Sequence, residues 1–190
     1  MTDVGRRSLL RAALNGPALY LSFTVGGETL CLTPQEARSR GVALRTLSEP
    51  QAATLESLGE AIVPGSAQLG LVQFIDHQLQ ADPNDALLIA KYFGVALPFA
   101  NFYASGVKIA DGMARRLAGK SIAEVSAAEL NALVAGMAKP GAVEDGYPIF
   151  LFYLCLRSDA VDIVYGTPDG FQKLNIPYMQ HILPPDGWDG

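Results

Sequence analysis

The sequence predicts an all-α fold: a small multi-helix domain with a short N-terminal β-hairpin and an extended, aromatic and proline-rich C-terminal arm. Three observations carry that prediction. Between residues 46 and 164 apolar side chains recur every three or four positions, in segments bounded by Ser/Thr caps and by Pro and Gly. Residues 19–32 instead alternate apolar and polar around Gly26-Gly27, the signature of a two-residue hairpin. Residues 165–190 hold Pro168, Pro177, Pro184 and Pro185, so they cannot form one regular element. They also carry Tyr165, Phe171, Tyr178 and Trp188, whose large apolar surfaces need burial.

Taken in order, the N-terminus is basic: Gly5-Arg6-Arg7-Ser8-Leu9-Leu10-Arg11 has the layout of a twin-arginine export signal. The segment after it is only moderately apolar and is interrupted by Asn15, Gly16 and Pro17, with no small-residue cleavage site. A short basic amphipathic helix with Leu9, Leu10, Ala13 and Leu14 on one face is the alternative, which leaves both a periplasmic and a cytoplasmic location open. After the hairpin, Thr33-Pro34 starts a short helix that Gly41 ends. Ser48 caps the next, with Gln51 answering it and Pro50 where its missing N–H costs nothing; Leu55, Leu58 and Ile62 follow at helical spacing until Pro64-Gly65.

A further helix is expected over 67–80, with Leu71, Ile75 and Leu79 on one face, broken by Asp82-Pro83. Another is expected from about Asn84 to Gly94. The helix after Pro98 places Phe99, Phe102, Tyr103, Gly106, Ile109, Met113 and Leu117 on its apolar face, where Gly106 signals close approach of a second helix. Ser121/Glu124 and Ser126/Glu129 both have capping-box spacing, and Val125 with Leu130 adds a staple to the second. The apolar run 147–156 is far short of the ~20 residues a bilayer requires. It reads as a buried core helix that ends at the polar Arg157-Ser158-Asp159.

At 190 residues the chain suits one domain, with a basic segment and hairpin in 1–45, a helical core in 46–164 and the arm in 165–190. A hydrophobic share of 49% against 17% charged argues for a globular chain. The formal charge of −5, with the 14 Lys and Arg thinly spread, excludes a basic surface for nucleic acid.

The inventory of chemistry is thin. Gly119-Lys120-Ser121 resembles the end of a phosphate loop, but Ala114 stands where the first glycine belongs and a helix precedes it. Asp76-His77 could be an acid–base pair, yet neighbours on a helix point apart. Asp159 and Asp162 share a helix face and could do acid–base work if buried in a cleft. Cys31 and Cys155 could form one disulfide or serve as small apolar groups. His77 and His181 show no metal spacing, and no Gly-x-Ser-x-Gly elbow occurs. No catalytic, cofactor-binding or metal site is assigned in this chain, which points to a binding or structural role.

An ordered series of segments resembles one family. The capped helix of residues 46–64, the following 69–79, the Ser126-Ala-Ala-Glu-Leu130 start, residues 157–166 and the closing Pro184-Pro185-Asp186-Gly187-Trp188 are similar, in that order, to the gluconate 2-dehydrogenase subunit 3 family. Arg6-Arg7 also fits, since such subunits often carry a twin-arginine signal. The resemblance implies a small, non-catalytic subunit that binds and stabilises a large FAD-dependent dehydrogenase of the glucose–methanol–choline type. That partner would oxidise a sugar, polyol or other alcohol and pass electrons to a cytochrome c subunit or another carrier. Two departures stand out: no asparagine follows Tyr165-Gly166, and the 19–32 hairpin replaces a clean signal peptide. Under this reading Tyr165, Phe171, Tyr178, Pro184, Pro185 and Trp188 are the expected partner contacts. The alternative is a free-standing helical binding protein, with Phe99, Phe102, Tyr103 and Phe150 around a pocket for an apolar ligand.

Overall fold

The computed structural model of the chain describes residues 19–175, and its first element is the hairpin expected around Gly26-Gly27. Strand β1 (Leu21–Val25) pairs antiparallel with β2 (Glu28–Leu32), Phe23 opposite Leu30. Gly26 and Gly27 take φ of +58° and +83°, the two positive values that a tight hairpin turn requires. Alternation buries Leu21 and Phe23 on one side, and the Phe23 ring meets His77 edge-on at 5.1 Å.

Helix α1 (Pro34–Ser39) starts as its sequence directs: the Thr33 hydroxyl accepts from the Glu36 N–H at 3.1 Å, and Glu36 takes the Thr33 N–H at 2.8 Å. Arg38 pairs with Glu56 on α2 (Glu49–Ile62). At the head of α2, the Gln51 side chain accepts the Ser48 N–H at 2.9 Å. Helix α3 (Leu71–Gln78) begins four residues later than its periodicity predicts. The reason is local: the Glu60 carboxylate takes the Gly65 and Ala67 N–H groups, and Gly70 turns left-handed at φ +88° to start the helix. A Cβ at Gly70 would lie 2.3 Å from the Pro34 carbonyl oxygen, so this glycine also lets α3 meet α1.

The helix expected over 84–94 does not form. Only a 3₁₀ turn, Ile89–Lys91, appears there. The Asp82 carbonyl closes one turn with the Asp85 and Ala86 N–H groups, but the Leu87 N–H goes to the Gln78 side chain at 2.8 Å and the helical ladder does not continue. Helix α4 (Phe99–Ala118) ends at left-handed Gly119. Ser126 caps α5 (Ala127–Met137) with the full reciprocal box. Glu124 likewise takes the Ser121 N–H and hydroxyl, but its own N–H goes to the Ser121 carbonyl, and the pair closes only a turn.

Helix α6 (Ile149–Tyr165) is the axis of the domain and touches α2, α3, α4, α5, the 3₁₀ turn and α7 (Pro168–Lys173). Elements on so many sides explain why its first half is apolar all round. It does not stop at Arg157-Ser158-Asp159 as the sequence predicts, because Asp159 is buried inside the packing and only Arg157 faces solvent. Gly106 on α4 serves the expected close approach: a Cβ there would sit 2.3 Å from the ring of fully buried Phe152 on α6. Phe102, Tyr103, Tyr147 and Phe152 interlock around that contact at centroid distances of 5.7 to 6.4 Å. The described residues are all-α apart from the hairpin.

Candidate functional site

The first part of the C-terminal arm is a helical hook rather than an extended strand. Tyr165, the last residue of α6, is half-buried against the core. The chain then turns at Gly166, and the Thr167 hydroxyl caps α7 by accepting the Gly170 N–H at 3.1 Å. Gly170 packs so tightly on α6 that a Cβ would fall 2.4 Å from the Val164 carbonyl oxygen. Phe171 is half-buried on α7. Of the expected contact residues, Tyr165 and Phe171 are thus brought together at one end of the domain. Tyr178, Pro184, Pro185 and Trp188 lie outside the described residues, as do Arg6, Arg7 and His181. Beside the hook is a cleft of about 360 Å³ between α1, the end of α6 and α7. Apolar Leu19, Leu69 and Ile163 share its lining with Asp162, Asp169 and Lys173.

Asp159 and Asp162 separate in environment. Asp162 faces the cleft and is exposed. Asp159 is fully buried, and its Oδ2 accepts the Tyr103 hydroxyl at 2.5 Å. Its Oδ1 has no hydrogen-bond donor among the described residues. Burial raises the Asp159 carboxyl to about 7; Asp162 adds to the shift, while the Tyr103 hydroxyl and the Ile89 backbone oppose it. The same burial, and then Asp159, hold the Tyr103 phenol well above its usual value. The partner this carboxyl meets is Tyr103 on the neighbouring helix α4.

Asp76 and His77 also point apart. The Asp76 carboxylate accepts three consecutive backbone N–H groups, from Arg45, Thr46 and Leu47, at 2.8 to 2.9 Å, and the Gln80 amide at 2.8 Å. That is a structural clamp on the segment leading into α2. His77 turns to the hairpin, where its Nε2 lies 3.2 Å from the Ser22 carbonyl oxygen. Partial burial holds its imidazole below the usual value. A cavity of about 30 Å³ between them is sized for one water molecule, and Gln73, whose Oε1 lacks a donor, lines it.

Other sequence candidates resolve in the same way. Lys120 lies 3.8 Å from Glu129 and follows the end of α4, so no strand-to-helix phosphate loop exists. Cys155 is buried in α6 and its thiol is pushed up to about 12, first by burial and then by Asp159. Cys31 sits half-buried on β2 and is not bonded to Cys155. Phe99, Phe102 and Tyr103 are packed core, and Phe150 stacks on Tyr153 at 6.4 Å, so the four do not surround a pocket. Among the described residues no three His, Cys, Asp or Glu gather as a metal site, and no helix is long and apolar enough to cross a membrane.

Sequence reasoning missed one surface. Leu87, Tyr92, Phe93 and Leu97 are exposed at 52%, 74%, 47% and 58% in the loop between α3 and α4. Leu87, Tyr92 and Phe93 fall inside the helix expected over 84–94 and Leu97 beyond it; the adjacent Tyr92-Phe93 pair is the signal of an outward face, since neighbours on a helix point apart.

The geometry is therefore that of a packed helical domain whose candidate acid–base groups hold its own backbone and helices. The family model for gluconate 2-dehydrogenase subunit 3 matches residues 49–181, from the first turn of α2 past the end of α7. Neither a curated protein nor a solved structure matches the chain. With a match over more than half its length, the chain belongs to the gluconate 2-dehydrogenase subunit 3 family.

Proposed function

We propose that this chain is the non-catalytic small subunit that binds and stabilises an FAD-dependent dehydrogenase of the glucose–methanol–choline type. The partner oxidises a sugar, polyol or other alcohol, holds the FAD, and hands electrons to a cytochrome c subunit or a similar carrier. The family match over residues 49–181 carries the reading. The internal duties of Asp76, His77 and Asp159 support it, because each is committed to the fold. In this reading the hook at Tyr165 and Phe171, continued through Tyr178, Pro184, Pro185 and Trp188, docks on the flavoprotein. The basic start at Arg6-Arg7 directs the assembly to the periplasm.

Co-expression with an FAD-dependent dehydrogenase of the glucose–methanol–choline type from the same genome tests the assignment. The tagged chain is expected to bring down a yellow, FAD-containing oxidoreductase, and a chain ending at Asn175 to lose it. The cut at 175 spares α7, whose removal would strip Gly170 and Phe171 from the end of α6. Recovery of the intact chain as a stable species that binds no flavoprotein would refute the subunit reading.

A further inference from the structure

We infer that the loop of residues 82–98, centred on Tyr92 and Phe93, is a second docking surface for the catalytic subunit. The inference rests on the subunit reading above and adds a surface remote in sequence from the C-terminal hook. Four of the eight exposed large apolar side chains among the described residues fall within this loop, and the remainder are scattered singly. Tyr92 and Phe93 are also the two exposed aromatic residues among those described. Clustered exposed apolar groups with aromatics at the centre mark protein contact sites, whereas single ones carry no meaning.

The loop is built to present them. Ala86, Leu88 and Ala90 are buried at 2%, 0% and 0%, and the 3₁₀ turn they frame lies on α6. Gln78, itself buried, takes the Leu87 N–H at 2.8 Å from below. The Lys91 ammonium reaches the Asn84 carbonyl oxygen and lies 5.7 Å from the Tyr92 ring centroid. Inward residues fix the backbone, so Leu87, Tyr92 and Phe93 face out from a support that is already ordered. Pre-ordering removes much of the entropy cost that a mobile loop would meet on binding.

Charge selects the occupant. Exposed Asp82, Asn84 and Asp85 flank the apolar centre, with one half-buried lysine, Lys91. That polar edge suits a protein partner with basic groups around an apolar socket. It opposes an anionic lipid surface, which requires clustered Lys and Arg. Neither described cavity involves these residues, so the surface offers no enclosure for a small ligand. A family whose description is a dehydrogenase subunit supplies a protein partner.

The test is binding of the purified flavoprotein by the full chain, the Tyr92→Ser/Phe93→Ser variant and a Leu117→Ser control, which alters an exposed leucine on α4. The double variant is expected to weaken binding by about 30-fold or more, the loss typical of at least one hot-spot aromatic, with an unchanged melting temperature. The control is expected to bind like the parent chain. Equal binding by the double variant would overturn the loop as an interface and leave the subunit reading intact. No binding by the parent chain would overturn both. If the double variant abolishes only self-association of the isolated subunit, or only binding to phosphatidylglycerol vesicles, the surface belongs to a second copy or to a membrane, and the inference fails.

Discussion

Asp76→Ala is expected to lower folding stability by about 4 kcal/mol, since hydrogen bonds to a charged acceptor contribute about 1.5–3 kcal/mol each and several are lost together. The carboxylate gathers the N–H groups of residues 45, 46 and 47, which have no helix of their own. Water can replace it at exposed Arg45 and Thr46, but not at Leu47, which is 6% exposed. The total is therefore below the sum of four separate bonds. Asp76→Asn retains one acceptor oxygen for Thr46 and Leu47 but turns an N–H₂ group toward the Arg45 N–H and the Gln80 amide. It is expected to cost about half as much. Urea denaturation reads both; a loss under ~1 kcal/mol for Asp76→Ala would show that the clamp carries little of the fold.

A pH-dependent loss of stability is the second large effect. The Asp159 carboxyl is raised from 3.8 to about 7 by burial, so between these values the folded chain keeps a proton that the unfolded chain has released. Its stabilising contribution is thus complete below pH 3.8 and is lost as pH rises through about 7. Each unit is worth about 1.4 kcal/mol, giving about 4 kcal/mol over the window. Asp159→Asn is expected to remove that slope, so the variant gains on the parent chain between pH 4.5 and pH 8. Tyr103→Phe alone withdraws the side-chain donor on a buried carboxylate and is expected to destabilise most at pH 8, whereas Tyr103→Phe/Asp159→Leu removes both partners and recovers most of the loss. An equal parent-to-Asn difference at both pH values would mean that Asp159 does not titrate in this range.

The local rules of the chain were legible where they acted alone. Thr33-Pro34, Ser48/Gln51 and Ser126/Glu129 start helices, and Gly26-Gly27 turns a hairpin, because each is decided within a few residues. Gly106 was readable too, since a glycine amid large apolar residues on one helix face leaves room for a neighbour such as Phe152. The failures lie where a side chain outside the apolar pattern captured a backbone N–H or made a burial possible. Gln78 drew off the Leu87 N–H that a helix over 84–94 would have used in its ladder. Tyr103, 56 positions away, made it possible to bury Asp159 inside α6 where its polarity had implied a helix end. In the candidate interface, Tyr165 and Phe171 could be picked from composition, but the hook that seats them depends on Gly170 against the Val164 carbonyl. The outward set of Leu87, Tyr92, Phe93 and Leu97 became visible only once the expected helix was absent.

The claim that joins these observations is that the chain sustains a flavin dehydrogenase without entering its chemistry. Alcohol oxidation measured against bound FAD, for the dehydrogenase produced with and without this chain, tests it most directly. The account predicts far less soluble, FAD-loaded enzyme when the chain is missing, and the same turnover per bound FAD in what survives. An unchanged amount of loaded enzyme with a turnover per FAD that collapses would contradict it, because the chain would then be contributing to the reaction itself.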